Sequence, residues 1–208
     1  TFYIIAGYAC GDLHGSILII EIIKLDSYAL IRAFGGDKMH DAGATIVKHF
    51  KDLAFMGFYE VLINLRTILN NIGYCKKDIL DFNPDKIIFI DYPGFNLRIA
   101  KWAKKYKFNT IYYIAPQLWA WNEKRINEIK KFVNSMYVIL PFEKEFFEKK
   151  HNYPVNFLGH PLIDSISNFQ NRFQKDKQEI KLNHKPVIAI LPGSRKQEIK
   201  KILKTVIK

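Results

Sequence analysis

The sequence predicts an α/β protein: a parallel β-sheet with helices on both faces. Three observations predict it. Short runs that are apolar throughout alternate with helical runs, as expected for strands buried on both sides rather than one. Most of the apolar runs end in a loop rich in glycine, proline or polar residues before a helical period begins. The chain has 208 residues, 49% of them hydrophobic, enough for one large domain with a real core. No repeat of 20–50 residues is visible.

The elements follow in order. FYIIAG (2–7) reads as a strand, and HGSILIIEIIKL (14–25) as a helix with an apolar face. YALIRAFGG and TIVKHF are further strands. DLAFMGFYEVLINL (52–65) is nearly all apolar and is not placed like a central strand. It reads either as core or as an amphipathic surface helix that dips into a bilayer or receives acyl chains. KIIFID (86–91), TIYYIA (110–115), SMYVIL (135–140) and VNFLG (155–159) continue the strands, with FNLRIAKWAKKYK and EKRINEIKKFV as helices between them. Residues 168–186, NFQNRFQKDKQEIKLNHKP, are polar without a strand pattern and read as a linker. PVIAILPG (186–193) then starts a new strand and SRKQEIKKILKTVIK a helix. One βα unit cannot bury its own faces. The expected organisation is therefore a domain over 1–167, a linker over 168–185, and the opening of a second domain over 186–208. The chain begins at Thr1 and runs straight into a strand, which reads as a chain whose start lies upstream.

The formal charge is +12, from 32 Lys and Arg against 20 Asp and Glu. That favours an anionic partner such as a phosphorylated small molecule, anionic lipid or nucleic acid. Because the lysines are spread along the chain, a solvated basic surface explains the charge equally well. Cys10 and Cys75 show no CxxC or Cys/His spacing, so no zinc site is expected, and a reducing cytoplasm is the simple inference. No apolar run approaches the roughly 20 residues of a spanning helix; ILIIEIIKL is broken by Glu21 and Lys24. These residues contain no signal-peptide pattern.

In open parallel sheets ligands bind beyond the carboxyl ends of the strands, so the loops there matter most. GYACGDLHG carries Gly7, Gly11 and Gly15 in neither a Walker nor a GxGxxG spacing. Its helix-start amides suit an anion or a sugar hydroxyl, or the loop is only a tight turn. In DYPGFN, Asp91 ends an apolar strand, where it is either a general base or a helix cap. In PQLWAWNEKR, Trp119 and Trp121 either wall a cleft or pack a helix, and Lys124 and Arg125 open a basic helix. Aromatic and basic residues together also suit single-stranded nucleic acid. His160, in GHPLID, is a candidate polar ligand or a structural histidine. In LPGSRKQE, Ser194 and Gln197 fit a capping box beside Arg195, which suits a diphosphate or simply starts a helix.

Taken together, GYACGDLHG, GGDKM, LAFMGFYEVL, IDYPGFNLRIA, YYIAPQLWAWNEKR, LPFEKEFF, FLGHPLID and LPGSRKQEI resemble lipid-A-disaccharide synthase, a glycosyltransferase family of the GT-B fold. The resemblance covers essentially the whole chain. A UDP-sugar epimerase shares that fold but lacks this motif series. The resemblance implies a Rossmann-like N-terminal domain on the acceptor side, then the first βα unit of a nucleotide-sugar domain. It implies an inverting transfer from UDP-2,3-diacylglucosamine to 2,3-diacylglucosamine 1-phosphate (lipid X), giving a β(1→6) disaccharide and UDP, without metal or other cofactor. Asp91 matches the family's candidate catalytic residue. Substrate contacts are implied for Gly11, Asp12, Asn96, Gln117, Trp119, Trp121, Arg125, His160, Ser194 and Arg195. Acyl-chain or membrane contact is implied for Phe55, Met56, Phe58, Val61 and Leu62. The implied location is the cytoplasmic face of the inner membrane, with no nucleic acid and with self-association into a homo-oligomer left open. The first loop departs from the family's Gly-Glu-x-Ser-Gly-Asp: Tyr8 and Cys10 replace its Glu and Ser. The family's Gly-Thr-Ala-like loop and the Glu beyond it are not in this chain. Two expectations follow: this piece alone is inactive, or it is a non-catalytic, lipid-binding remnant of the family.

Overall fold

The computed structural model describes residues 1–53, 64–175, 188–192 and 196–206. The apolar segment that holds Phe55, Met56, Phe58, Val61 and Leu62 lies outside the described residues, as do Ser194 and Arg195. The chain divides into two compact units, Thr1–Ile166 and Ser167–Lys208.

The first unit is a seven-stranded, wholly parallel sheet in the order β3-β2-β1-β4-β5-β6-β7. Its strands are β1 (Phe2–Ala6), β2 (Ile31–Gly35), β3 (Thr45–His49), β4 (Lys86–Ile90), β5 (Asn109–Tyr113), β6 (Ser135–Val138) and β7 (Asn156–Phe157). Its helices are α1 (Ala9–Leu25), α2 (Asp37–Asp41), α3 (Leu65–Phe82), α4 (Pro93–Lys105), α5 (Leu118–Trp121), α6 (Ile126–Phe132) and α7 (Pro141–Glu145). A 3-10 turn at Glu123–Arg125 leads into α6, and a π turn at Phe146–Lys150 follows α7.

The apolar strands are explained by two cores. Alternate residues of a strand face opposite sides. Tyr3, Ile5, Ile87 and Phe89 enter one core, packed with Ile72, Cys75 and Ile79 of α3 and Phe95 and Ile99 of α4. Ile4, Ala6, Ile88 and Ile90 enter the other, with Ile19 of α1 and Met39 of α2. Each isoleucine, phenylalanine or methionine fully buried this way stabilises the fold by about 1.5–3 kcal/mol.

A buried polar knot fixes α3 to the sheet. Asp78 accepts from the Tyr3 hydroxyl at 2.7 Å and takes both Nε and a terminal nitrogen of Arg32, at 3.0 and 2.6 Å. Tyr3→Phe leaves the Arg32 pair in place and removes one donor. It is expected to cost about 1.5–3 kcal/mol, the usual worth of a hydrogen bond to a charged group. A fall in the urea midpoint at constant slope checks it; an unmoved midpoint refutes it.

α8 (Leu162–Lys175) begins in the first unit and ends in the second. It thus runs through the first part of the segment expected to be a linker. Leu162, Ile166 and Phe169 recur at helical spacing, and that period outweighs the polar composition around them. In the second unit, α9 (Lys196–Val206) is helical as expected. The strand expected over 186–193 is not seen: residues 188–192 carry no strand, and Leu191 is 92% exposed. The physical reason is pairing, since a strand with no neighbour leaves every ladder group unmet.

Candidate active site at the carboxyl ends of β1 and β4

The order of the sheet reverses between β1 and β4, and the crevice beyond such a reversal is where ligands bind. The two loops that flank it are Gly7-Tyr8, after β1, and Asp91-Tyr92, after β4. They touch: the Tyr8 and Tyr92 rings meet edge to face, 4.9 Å between centroids. Gly7 permits this, because a Cβ there would lie 2.3 Å from the Tyr92 ring. Gly11 lets α1 start close to the strand end, its Cβ position being 3.1 Å from the Ala6 Cβ. Tyr8 is the cap residue of α1 and offers its helix no side-chain hydrogen bond. Cys10 is exposed in the first turn.

Asp91 sits in a strained turn in this crevice. Asp91 and Tyr92 have φ of 44° and 48°, left-handed values that non-glycine residues rarely adopt. Ile114, beyond β5, has φ of 65°, and its carbonyl accepts the Asp91 amide at 3.2 Å. Each such residue costs about 1–3 kcal/mol and persists only where its surroundings enforce it, typically at functional sites. The Asp91 carbonyl accepts from Asn96 Nδ2 at 2.7 Å and from the Tyr112 hydroxyl at 2.6 Å. Burial raises the Asp91 carboxyl above the usual carboxylate range, opposed by a hydrogen bond from the Tyr92 backbone. Tyr112 is held protonated, first by burial and then by the Asp91 charge; Asn96 and Arg125 oppose that shift and Tyr8 adds to it. Asp91, Asn96, Arg125, Tyr8 and Tyr112 therefore share one neighbourhood.

The remaining candidates form two further groups at the same end of the sheet. Trp119, on α5, donates its indole N–H to Glu143 Oε1 at 3.4 Å and meets the Phe142 ring edge to face at 5.0 Å. It is 39% exposed, so the residue is held by these contacts and still meets solvent. Glu143 is buried, and its other oxygen accepts the amides of Ile139 and Leu140 at 3.2 and 2.9 Å. Gln117 is exposed on the loop before α5, and Trp121 is the last residue of that helix. The second group is His14 and His160, whose rings meet 6.2 Å apart. His160 Nδ1 accepts the Leu162 amide at 3.2 Å. His14 is buried on α1, and its Nδ1 meets no hydrogen-bond partner among the described residues. Burial, and then His160, holds the His14 ring below the usual histidine range, hence neutral at neutral pH.

Asp12 is buried, and both of its oxygens are engaged. Oδ1 accepts the amides of Gly36 and Met39 at 2.7 and 3.1 Å, and Oδ2 that of Lys38 at 3.2 Å. The geometry makes it the cap of α2, delivered from α1. Reading the sequence alone missed His14, Tyr112 and Glu143. Only Glu143 had a usable signal, its place directly after the Leu-Pro-Phe that stops a strand. No cluster of three or more metal-ligating side chains occurs among the described residues. No helix among them is long and apolar enough to cross a membrane.

A family model described as lipid-A-disaccharide synthetase matches residues 2–208. Lipid-A-disaccharide synthase of Coxiella burnetii is 40% identical over 200 residues, 96% of this chain and 53% of that protein. The Trichlorobacter lovleyi enzyme of the same name is 38% identical over 204 residues, 98% of this chain and 53% of that protein. The chain spans about half the length of the curated relatives it matches. Among solved structures, UDP-GlcNAc 2-epimerase of Neisseria meningitidis, bound to UDP-GlcNAc, superposes with a TM-score of 0.60 at 11% identity. The match covers 83% of this chain and 49% of that one. At that identity the likeness shows the shared fold alone.

Proposed function

This chain belongs to the lipid-A-disaccharide synthetase family, and on that premise we propose that it forms the acceptor side of an inverting glycosyltransferase. The reaction joins UDP-2,3-diacylglucosamine to 2,3-diacylglucosamine 1-phosphate and releases UDP. Inversion at the anomeric carbon is one direct displacement, and it needs a base for the acceptor's 6-hydroxyl proton. The observation that carries the reading is Asp91: a carboxylate at the reversal of the sheet order, in an enforced left-handed turn, with its proton affinity raised by burial. UDP release from the two acylated substrates by the full-length protein tests it. No release, with the substrates still bound, favours the reading of a non-catalytic lipid-binding remnant. Tyr8 and Cys10 in the first loop support that alternative.

In this proposal the crevice beside Gly11 and the uncapped start of α1 receives the acceptor. Gln117, Arg125 and His160 serve that acceptor, with Arg125 facing phosphate. Asp12, in the first turn of α1, holds the start of α2. Ser194 and Arg195 belong to the nucleotide side, and the piece 1–208 alone is inactive. Phe55, Met56, Phe58, Val61 and Leu62 take acyl chains at the cytoplasmic surface of the inner membrane. The excess of lysine and arginine serves phosphorylated substrates and anionic lipid, not nucleic acid.

Trp119 is the wall of the acceptor pocket. Trp119→Ala is expected to raise the acceptor KM roughly tenfold, equivalent to about 1.4 kcal/mol of lost contact. A lowered melting temperature with KM and kcat unchanged would leave the tryptophan as packing for Glu143 and Phe142 only.

A further inference from the structure

The Asp91 turn is enforced by two donors on a single oxygen. Asn96 is fully buried on α4, and its Nδ2 reaches the Asp91 carbonyl at 2.7 Å and the Ile90 carbonyl at 3.4 Å. Tyr112, fully buried on β5, donates its hydroxyl to the same Asp91 carbonyl at 2.6 Å. The orientation of the Asn96 amide is dictated by its neighbours: two carbonyl oxygens demand the nitrogen, not the oxygen. The cost is visible on the other side, where Asn96 Oδ1 is buried with no hydrogen-bond partner among the described residues. A buried amide that leaves its own oxygen unmet in order to hold the carbonyls at the end of β4 is placed for that turn. The third tether runs the other way, from the Asp91 amide to the Ile114 carbonyl at 3.2 Å.

We propose that Asn96 and Tyr112 are positioning residues: they clamp the Asp91 main chain in its left-handed turn and so aim the carboxylate at the acceptor hydroxyl. Neither needs to touch substrate. The clamp rests on the reading of Asp91 as the base. It assigns Asn96, which the family resemblance places at the substrate, a role through Asp91 instead. The α4 segment is suited to it, since Tyr92 caps that helix and its carbonyl accepts the amides of Phe95 and Asn96 at 3.2 and 3.0 Å. Residue 96 is thereby tied to the turn it holds. Tyr92 lies beside the carboxyl in the turn and is itself faced by Arg98 of α4; Tyr112, from β5, interacts with Asp91, with Tyr8 from the start of α1 and with Arg125 from the turn before α6.

The test is made in the full-length protein, with kcat, KM, the pH profile of kcat and the melting temperature all read. Tyr112→Phe keeps the buried ring and removes only the hydroxyl. It is expected to lower kcat roughly tenfold at unchanged KM, because small misplacements of a reacting group are costly. Asn96→Ala is expected to lower kcat on the order of a hundredfold for the same reason. In both, the acidic limb of the profile moves to lower pH, because a loosened carboxyl gains water and loses its raised proton affinity. A lower melting temperature with kcat and the acidic limb unmoved overturns the clamp. If Asn96→Ala does not fold, Tyr112→Phe decides alone. Asp91→Asn, run alongside, separates the two ideas. If it retains kcat, the base reading fails and the clamp with it. If it is inactive while Tyr112→Phe is silent, only the clamp fails.

Discussion

Asp91→Asn is expected to lower kcat for UDP release by about 10²–10⁴-fold, the usual contribution of a positioned general base. KM should change little. The substitution is nearly isosteric, and the tethers that hold the turn use main-chain atoms, not the side chain: the Asp91 amide meets the Ile114 carbonyl, and the Asp91 carbonyl meets Asn96 and Tyr112. The pH dependence follows from the direction of the shift. Burial raises the Asp91 carboxyl, so the base loses its proton only above the ordinary carboxylate range. The acidic limb of the wild-type profile belongs there and is absent from whatever activity the Asn variant keeps. Stability moves with the opposite sign. A carboxyl with a raised folded pKa favours the fold fully when protonated, below the ordinary carboxylate pKa. That contribution is lost as pH rises through the raised value. At neutral pH the Asn variant should therefore be no less stable than wild type. An Asp91→Asn enzyme with wild-type kcat would remove the base from the mechanism.

The sheet was legible because its strands are apolar without alternation. That pattern has one simple explanation, burial on both faces, and the two cores on opposite sides of β1 and β4 are that explanation made visible. Boundaries were less legible. α1 starts at Ala9, well before its apolar period, because Gly11 and Gly15 let its first turns fit closely against Ala6 and Met39. The chain 168–175 looked like linker because composition hides a helical period of few apolar residues. Asp91 could be found from sequence, since a carboxylate at the end of a buried strand is anomalous on its own. Asn96 and Tyr112 could not be given their roles that way. Their shared target is a backbone oxygen whose conformation only the folded turn defines. Glu143 and Asp12 are of the same kind: buried charged residues in the first turns of α7 and α1, whose oxygens meet main-chain amides that only the folded chain brings to them.

Asp12→Ala is expected to be the most damaging substitution for stability among the site residues. The helix α2 begins after Gly36, which has no side chain to cap it. Asp12 supplies the missing acceptor from α1, taking the amides of Gly36, Lys38 and Met39. No larger residue at position 36 could do this, because a Cβ there would stand 2.3 Å from the Phe50 ring and 2.8 Å from Asp12 Oδ2. Alanine at position 12 strands at least the two buried amides, of Gly36 and Met39. At about 1–3 kcal/mol for each buried donor left unmet, the loss is about 2–6 kcal/mol. That is a large share of the roughly 5–15 kcal/mol that holds a typical domain. Asp12→Asn keeps one accepting oxygen and should lose less, about 1–3 kcal/mol. Chemical denaturation ranks the three proteins. Kinetics on the folded fraction then asks whether Asp12 also meets substrate. With both oxygens already engaged, KM per folded molecule should stay near wild type in the Asn variant. A raised KM with an unmoved denaturation midpoint would reverse the assignment: Asp12 would be a substrate ligand, and the α2 amides would have to find water instead.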